Sequence, residues 1–181
     1  MTKIYIPTFG EEVGNAISHG VMSILMLLAI PYAAVYSFVQ SGSALMCFSV
    51  SVFCVSLFLM FLISTLYHSM LHDTRHKEIF HILDHIFIYV AIAGSYTPVA
   101  LSVIGGWQGW LIFILQWVMV IFGIFYKSLS RRSIPAISLT IYLVMGWTVV
   151  FFFPLFVRHA SWQFITLIAL GGVFYTIGAI F

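Results

Sequence analysis

The segment from Ser64 to His85, STLYHSMLHDTRHKEIFHILDH, gathers protonatable side chains in a chain that is otherwise strongly apolar. It contains five of the seven histidines and both aspartates, together with one glutamate, one arginine and one lysine. Imidazole and carboxylate groups together form a donor set that suits a divalent transition metal, with zinc as the leading candidate. The segment is therefore a candidate metal site.

The spacing of these residues favours two helix faces. Ser64 and His68 are four residues apart, and His81, Asp84 and His85 stand at i, i+3 and i+4, so each set shares one face. An ionisable side chain inside a bilayer costs at least ~2.5 kcal/mol at a helix centre, and such side chains usually face the bundle interior. Because His68 and Asp84 both adjoin apolar runs, they are the leading ligand candidates.

Several neighbouring polar residues have simpler interpretations. Residues 72–78 form a short polar stretch, which we interpret as a solvated loop. Glu11 and Glu12 precede a helix start, where carboxylates favour the positive end of the helix dipole, and Glu11 is also a candidate for the site. His81 could cap the helix or orient a ligand, and Ser64 could bond back to its own backbone.

The composition places these groups in a membrane protein. The chain is 62% hydrophobic and 7% charged, whereas an ordinary soluble domain is about 25% charged. A soluble fold of 181 residues could not bury this much apolar surface. The net charge of +2 is too small and too scattered to indicate binding of nucleic acid.

Six apolar stretches predict the helices that position the site, because a membrane helix needs about 20 mostly apolar residues. The predicted spans are Ala16–Val39, Ala44–Tyr67, Phe80–Ile104, Trp107–Tyr126, Pro135–Val157 and Ser161–Phe181. They predict an all-α, polytopic transmembrane bundle that forms a single domain over residues 1–181. Pro31, Pro98 and Pro154 lie inside spans, and we expect each to kink its helix.

The basic residues are distributed unequally between the two sides of the predicted bundle. The N-terminal tail and the second and fourth connections carry six of the seven, and only Arg158 lies on the opposite side. The positive-inside rule then predicts a cytoplasmic N-terminus. His19 in span one, His68 in span two and Asp84 in span three consequently share one depth near the inner leaflet.

Four motifs together resemble the hemolysin III family, the bacterial members of the progestin and adipoQ receptor group. They are ISHGVMSI, STLYHSMLH, HILDHIFIYVAIAGSYTPV and GGVFYTIGAIF, and the resemblance covers essentially the whole chain. The most specific parts are Ser-x-x-x-His at Ser64–His68 and His-x-x-Asp-His at His81–His85.

The resemblance implies a seven-helix protein of the bacterial inner membrane with a zinc ion near the cytoplasmic leaflet. His68 is implied as a zinc ligand and Asp84 as a ligand directly or through water, with His19, His81 and His85 as alternates or supporting residues. The wider superfamily includes ceramidases, so the implied activity is hydrolysis of an N-acyl membrane lipid in membrane homeostasis. Zinc would lower the pKa of bound water to ~7, Asp84 would take a proton, and Ser64 would hold the water or an oxyanion.

The sequence departs from this family pattern in one respect. Family members carry His-x-x-x-His on a seventh helix, which supplies two further zinc ligands, and no such motif follows YTIGAIF. We therefore expect six spans in this chain and seven in the complete protein. We also expect the 181-residue chain to hold zinc weakly or not at all.

Other functions stay open at this level. The protein could be a non-enzymatic sensor or homeostasis protein with structural zinc, because catalytic and structural sites draw on the same ligand types. It could be a cytolysin or pore, although spans with so few charges do not resemble a water-filled channel. A haem protein with axial histidines from two helices is a further alternative, which a visible absorption spectrum would test.

Overall fold

The computed structural model describes residues 7–129 and 135–180, and these residues form helices without any strand. The long helices come first and are α1 (Phe9–Ser41), α2 (Ala44–His68), α3 (Arg75–Pro98) and α4 (Gly106–Leu129). Shorter helices follow, namely α5 (Pro135–Gly146), α6 (Thr148–Phe151), α7 (Phe153–His159) and α8 (Trp162–Ile180). The prediction of an all-α membrane bundle is confirmed, because α1 to α4 are each long and apolar enough to cross a membrane.

The start of α1 and the start of α3 are both fixed by side-chain caps. Thr8 and Glu11 form a capping box, in which Thr8 Oγ1 accepts from the Glu11 N–H at 3.4 Å and Glu11 Oε2 accepts from the Thr8 N–H at 2.7 Å. Thr74 caps α3 by accepting from the Lys77 N–H at 3.2 Å. These caps set where both helices begin, and hence which side chains of their first turns face the bundle.

The predicted fifth and sixth spans differ from the first four. The described part of the fifth bends by 59° at the junction of α6 and α7. The sixth corresponds to α8, whose described apolar stretch, Trp162–Gly178, is shorter than any of α1 to α4. By length and composition the described residues therefore contain four spans, or five if the bent pair counts as one.

The prolines interrupt the helices to different extents. Pro98 is the last residue of α3, and a π-helical turn, Val99–Ile104, follows it directly. Pro154 lies in the first turn of α7, next to the bend. α1 runs as one helix through Pro31 to Ser41. A proline removes one backbone N–H and crowds the preceding turn, so the α3 end and the α7 start are natural break points.

Polar side chains from α3 and α4 satisfy the backbone where α5 ends. The Tyr96 hydroxyl donates to the Gly146 carbonyl at 2.6 Å and accepts from the Val149 N–H at 2.9 Å. Gln116 Nε2 donates to the Met145 carbonyl at 3.0 Å. Irregular backbone at membrane depth is tolerated only where protein or water satisfies it, and these bonds meet that requirement.

α3 is the most buried of the four long helices, and its position explains how the site is held. Its Tyr89, Ile92 and Ala93 pack with Val120 of α4 and Met145 of α5 in one buried core cluster. The outer faces of the helices instead expose many large apolar side chains. An apolar surface of this extent suits contact with lipid.

Candidate functional site

Polar side chains from three helices meet at one end of the bundle, where α1 and α3 begin and α2 ends. We call this set the polar cluster, and its members are Glu12, His19, Ser64, His68, Lys77 and Asp84. The antiparallel packing of α1 on α2 and of α2 on α3 brings these helix ends together. Residues that are up to 72 positions apart in the sequence therefore lie at the same end of the bundle.

The Glu12 carboxylate is the centre of the polar cluster. Its side chain is buried, with 5% of the residue surface exposed. Oε2 accepts a hydrogen bond from His68 Nδ1 at 2.6 Å, and Oε1 accepts from Lys77 Nζ at 2.7 Å. His72 Nε2 lies 3.4 Å from Oε1. One carboxylate of α1 thus joins the end of α2 to the beginning of α3.

Lys77 corrects the interpretation of residues 72–78 as a solvated loop. It belongs to α3, and only 8% of its surface is exposed. Besides pairing with Glu12, its ammonium group donates to the Met70 carbonyl at 3.2 Å and lies 4.9 Å from the centre of the Tyr67 ring. A charge is buried only when it is paired and hydrogen-bonded, and Lys77 meets this condition through Glu12 and the carbonyl.

The two neighbouring glutamates of α1 have different roles. Glu11 bonds back to Thr8 in the capping box, which matches the helix-end interpretation. Glu12 contacts α2 and α3 instead, although Glu11 is the glutamate that the sequence indicates as a candidate for the site. Successive helix positions differ by about 100° in direction, so only one of the pair can face the bundle interior.

His19 and Asp84 add the remaining protonatable groups on α1 and α3. The His19 ring lies edge-on to His68, with 6.2 Å between the ring centres, and its buried Nδ1 has no hydrogen-bond partner among the described residues. Asp84 is half-buried and lies within electrostatic range of His19 and of the Tyr67 hydroxyl. Among the described residues, a buried imidazole nitrogen without a hydrogen-bond partner therefore lies on the ring next to the candidate ligand His68.

The other predicted site residues lie around this centre. Ser64 is buried in α2, one turn before His68. The His81 and His85 rings are in contact, with 4.5 Å between their centres, and His85 Nδ1 donates to the His81 carbonyl at 2.8 Å. The His81 ring also lies 5.4 Å from that of Tyr67. His81 and His85 thus form a separate pair on α3.

The described residues do not by themselves complete a zinc site. Zinc takes about four ligands in a tetrahedral arrangement. Within residues 7–129 and 135–180, no three His, Cys, Asp or Glu side chains are arranged to hold one metal ion. The donor chemistry of His68, Asp84 and the unpartnered His19 nitrogen suits zinc, but the arrangement of these residues leaves coordination positions to be filled by other groups.

The fold and the polar cluster define a multi-pass helical membrane protein with a protonatable site at one end of the bundle. The chain belongs to the Haemolysin-III related family, whose sequence model matches residues 8–181. This result confirms the resemblance that the motifs indicate.

Curated relatives support the same assignment. Over 174 residues the chain is 36% identical to the Hemolysin-3 homolog of Bacillus subtilis (strain 168), which covers 96% of this chain and 81% of that protein. Over 171 residues it is 35% identical to the Hemolysin-3 of Bacillus cereus, which covers 94% of this chain and 77% of that protein. No solved structure matches the chain.

Proposed function

We propose that this protein is a bacterial inner-membrane enzyme that hydrolyses the amide bond of an N-acyl membrane lipid and uses zinc held at the polar cluster. The observation that carries the proposal is the buried Nδ1 of His19, for which the described residues supply no hydrogen-bond partner, on a ring whose centre lies 6.2 Å from that of His68. His68 would supply one ligand, and Asp84 would hold the zinc through a bound water and take the proton of that water. Zinc, when bound, activates water and polarises a carbonyl.

An apolar cavity, whose described lining residues include none of the polar cluster, has a lining that suits part of a lipid substrate. It has a volume of ≈520 Å³ and lies between α3, the broken α5–α7 region and α8. Tyr96, Val149, Phe156, Ile165 and Tyr175 are among the residues that line it. Ligand sites typically measure about 300–1,000 Å³ and are mostly apolar with a few polar groups. An acyl chain is the part of a membrane lipid that suits such a lining.

A non-enzymatic role is the second candidate function, and the ion pair of Glu12 with Lys77 favours it. This pair joins α1 to α3, while the hydrogen bond from His68 to Glu12 joins α2 to the same carboxylate. Such an arrangement braces three helices without any chemistry. A sensor or homeostasis protein with structural zinc needs helices that are held in fixed positions, and it does not need to break a bond.

Lipid hydrolysis distinguishes the two functions. The protein, extended after Phe181 by a helix bearing His-x-x-x-His and loaded with zinc, is incubated with ceramide in lipid vesicles, and released fatty acid is measured. We expect release from the unsubstituted form. Asp84→Asn should lower the rate by about 10²–10⁴-fold, the range for loss of a proton-transfer group. His68→Ala should abolish it.

His159→Ala is the matched control for these variants. His159 lies at the end of α7, and its Nδ1 donates to the Leu155 carbonyl at 2.8 Å, away from the polar cluster. The rate of fatty-acid release by His159→Ala should equal that of the unsubstituted form. Zinc bound at one equivalent without fatty-acid release from any N-acyl lipid tested would contradict the enzyme and favour structural zinc.

The cytoplasmic position of the polar cluster is tested by cysteine labelling. In a background with Cys47 and Cys54 replaced by alanine, His76→Cys introduces an exposed thiol at the start of α3, and Trp107→Cys one at the start of α4. The positive-inside rule predicts that a membrane-impermeant maleimide added to intact cells labels position 107 and not position 76. Efficient labelling at position 76 from outside would reverse the proposed orientation.

A further inference from the structure

The Glu12 carboxylate contacts a proposed ligand, His68, at one of its two ring nitrogens, Nδ1. The Nδ1 to Oε2 distance is 2.6 Å, which is short for a hydrogen bond between nitrogen and oxygen, and hydrogen bonds with an ionised partner are the shorter ones. Metal-binding histidines commonly donate their second ring N–H to a carboxylate, which fixes both tautomer and ring orientation. The geometry at Glu12 has this form.

Lys77 contacts the other oxygen of the same carboxylate. Its ammonium group lies 2.7 Å from Oε1, so that each Glu12 oxygen has its own donor. An ionised carboxylate accepts hydrogen bonds and has no proton to give. The geometry fits a proton on Nδ1, and a neutral imidazole with its proton there carries its lone pair on Nε2.

We infer that Glu12 is a positioning residue, whose carboxylate holds the His68 ring with the proton on Nδ1 so that Nε2 is presented as a lone pair to a divalent cation. The inference rests on the proposed function, because it assigns Glu12 a part in presenting a zinc ligand. Lys77 acts on His68 through Glu12, because its ammonium group holds the Glu12 carboxylate in place. The α1–α3 ion pair thus determines how a residue of α2 faces its ligand.

An ion pair with a purely structural role would also connect α1 to α3. The test therefore measures the tautomer of the His68 ring. Protein labelled with ¹⁵N-histidine is prepared in lipid as the 181-residue chain, and the two ring nitrogens are observed by solid-state NMR at fixed pH. The His68 signals are identified by their loss in His68→Gln. We expect the unsubstituted chain to show the neutral tautomer with the proton on Nδ1.

Two variants test whether Glu12 causes that tautomer. Glu12→Gln keeps the side-chain shape and removes the charge, and Glu12→Met with Lys77→Met removes both buried charges together, so that neither is left unpaired. In both we expect population of the other neutral tautomer, with the proton on Nε2. The matched control is Glu11→Gln, because Glu11 is the adjacent residue and bonds to Thr8; its His68 spectrum should be unchanged.

The outcome separates this inference from the proposed function. An unchanged His68 tautomer in both Glu12 variants, or an imidazolium in the unsubstituted chain, would overturn the positioning role whether or not zinc binds. In the form extended by His-x-x-x-His, Glu12→Gln should weaken zinc binding by about 10–100-fold, the usual effect of losing an outer partner of a ligand. If no form binds zinc while the tautomer shifts as expected, the positioning role stands and the zinc enzyme fails.

Discussion

Lys77→Met is expected to destabilise the folded bundle by about 3–5 kcal/mol, the usual cost of removing one partner of a buried ion pair. The substitution would leave the Glu12 carboxylate charged, with 5% of the residue surface exposed. His68 would remain as its hydrogen-bond donor, but the cation at 2.7 Å would be gone. The free energy of unfolding is measured by denaturation with SDS in mixed micelles, using helix content as the signal.

The double variant Glu12→Met with Lys77→Met separates loss of a pair from loss of one partner. Replacing both members of a buried pair by apolar side chains of similar volume is often neutral or stabilising, by about 1–4 kcal/mol. We therefore expect the double variant to be at least as stable as the unsubstituted protein. Arg75→Met is the control, because Arg75 is exposed at the start of α3, and its effect should stay within about 0.5 kcal/mol. Equal stability of Lys77→Met and the unsubstituted chain would show that Glu12 is not left as an uncompensated charge.

The long helices could be predicted from the sequence because apolar length determines them directly. The predicted second span, Ala44–Tyr67, differs from α2 by one residue at its end. The predicted first span begins at Ala16, whereas α1 begins at Phe9. The difference arises because the first two turns of α1 are polar, and hydropathy does not register them. Thr8 and Glu11 carry the missing signal, since a threonine followed three residues later by a glutamate marks a helix start.

The capping box of Thr8 and Glu11, which hydropathy does not register, also distinguishes Glu12 from Glu11 as the glutamate of the site. Once Thr8 and Glu11 are identified as a capping box, the neighbouring Glu12 faces another direction and becomes the candidate for the interior. At α3 the Thr74 side chain caps the helix by accepting from the Lys77 N–H, and this cap places Lys77 in a helix and not in a loop. The partner of a buried charge depends on contacts between helices, however, and spacing within one helix does not reveal it.

The broken fifth span could be predicted only in part. Pro154 marks a place where the helix is weakened. The bonds that stabilise the end of α5 come from Tyr96 of α3 and Gln116 of α4, which are distant in the sequence. Hydropathy treats residues 135–157 as one apolar run because the side chains that form the break are themselves apolar. Whether an apolar run of this kind is one helix or several is therefore decided by its neighbours in the bundle.

The 181-residue chain is expected to retain far less than one equivalent of zinc after dialysis, whereas a form extended by a helix bearing His-x-x-x-His should retain about one equivalent. The reason lies in the ligand count, because structural and catalytic zinc sites use three or four protein ligands. Within the described residues no three suitable side chains surround one point. His68 and Asp84 alone would leave the remaining positions to water, and binding would be weak.

Elemental analysis of both forms, purified and dialysed in parallel, measures this difference. The control extension carries alanine in place of both added histidines, so that a gain in zinc can be assigned to the ligands and not to the extra helix. In the extended form, His68→Ala should remove the bound zinc and His76→Ala should not, because His76 is exposed at the start of α3. Protons compete with the metal for imidazole nitrogen, so the retained zinc should fall as the pH is lowered. Tightly held zinc at one equivalent in the 181-residue chain would contradict the ligand count. His19, whose buried Nδ1 has no partner within residues 7–129 and 135–180, would then be the first residue to substitute as the missing ligand.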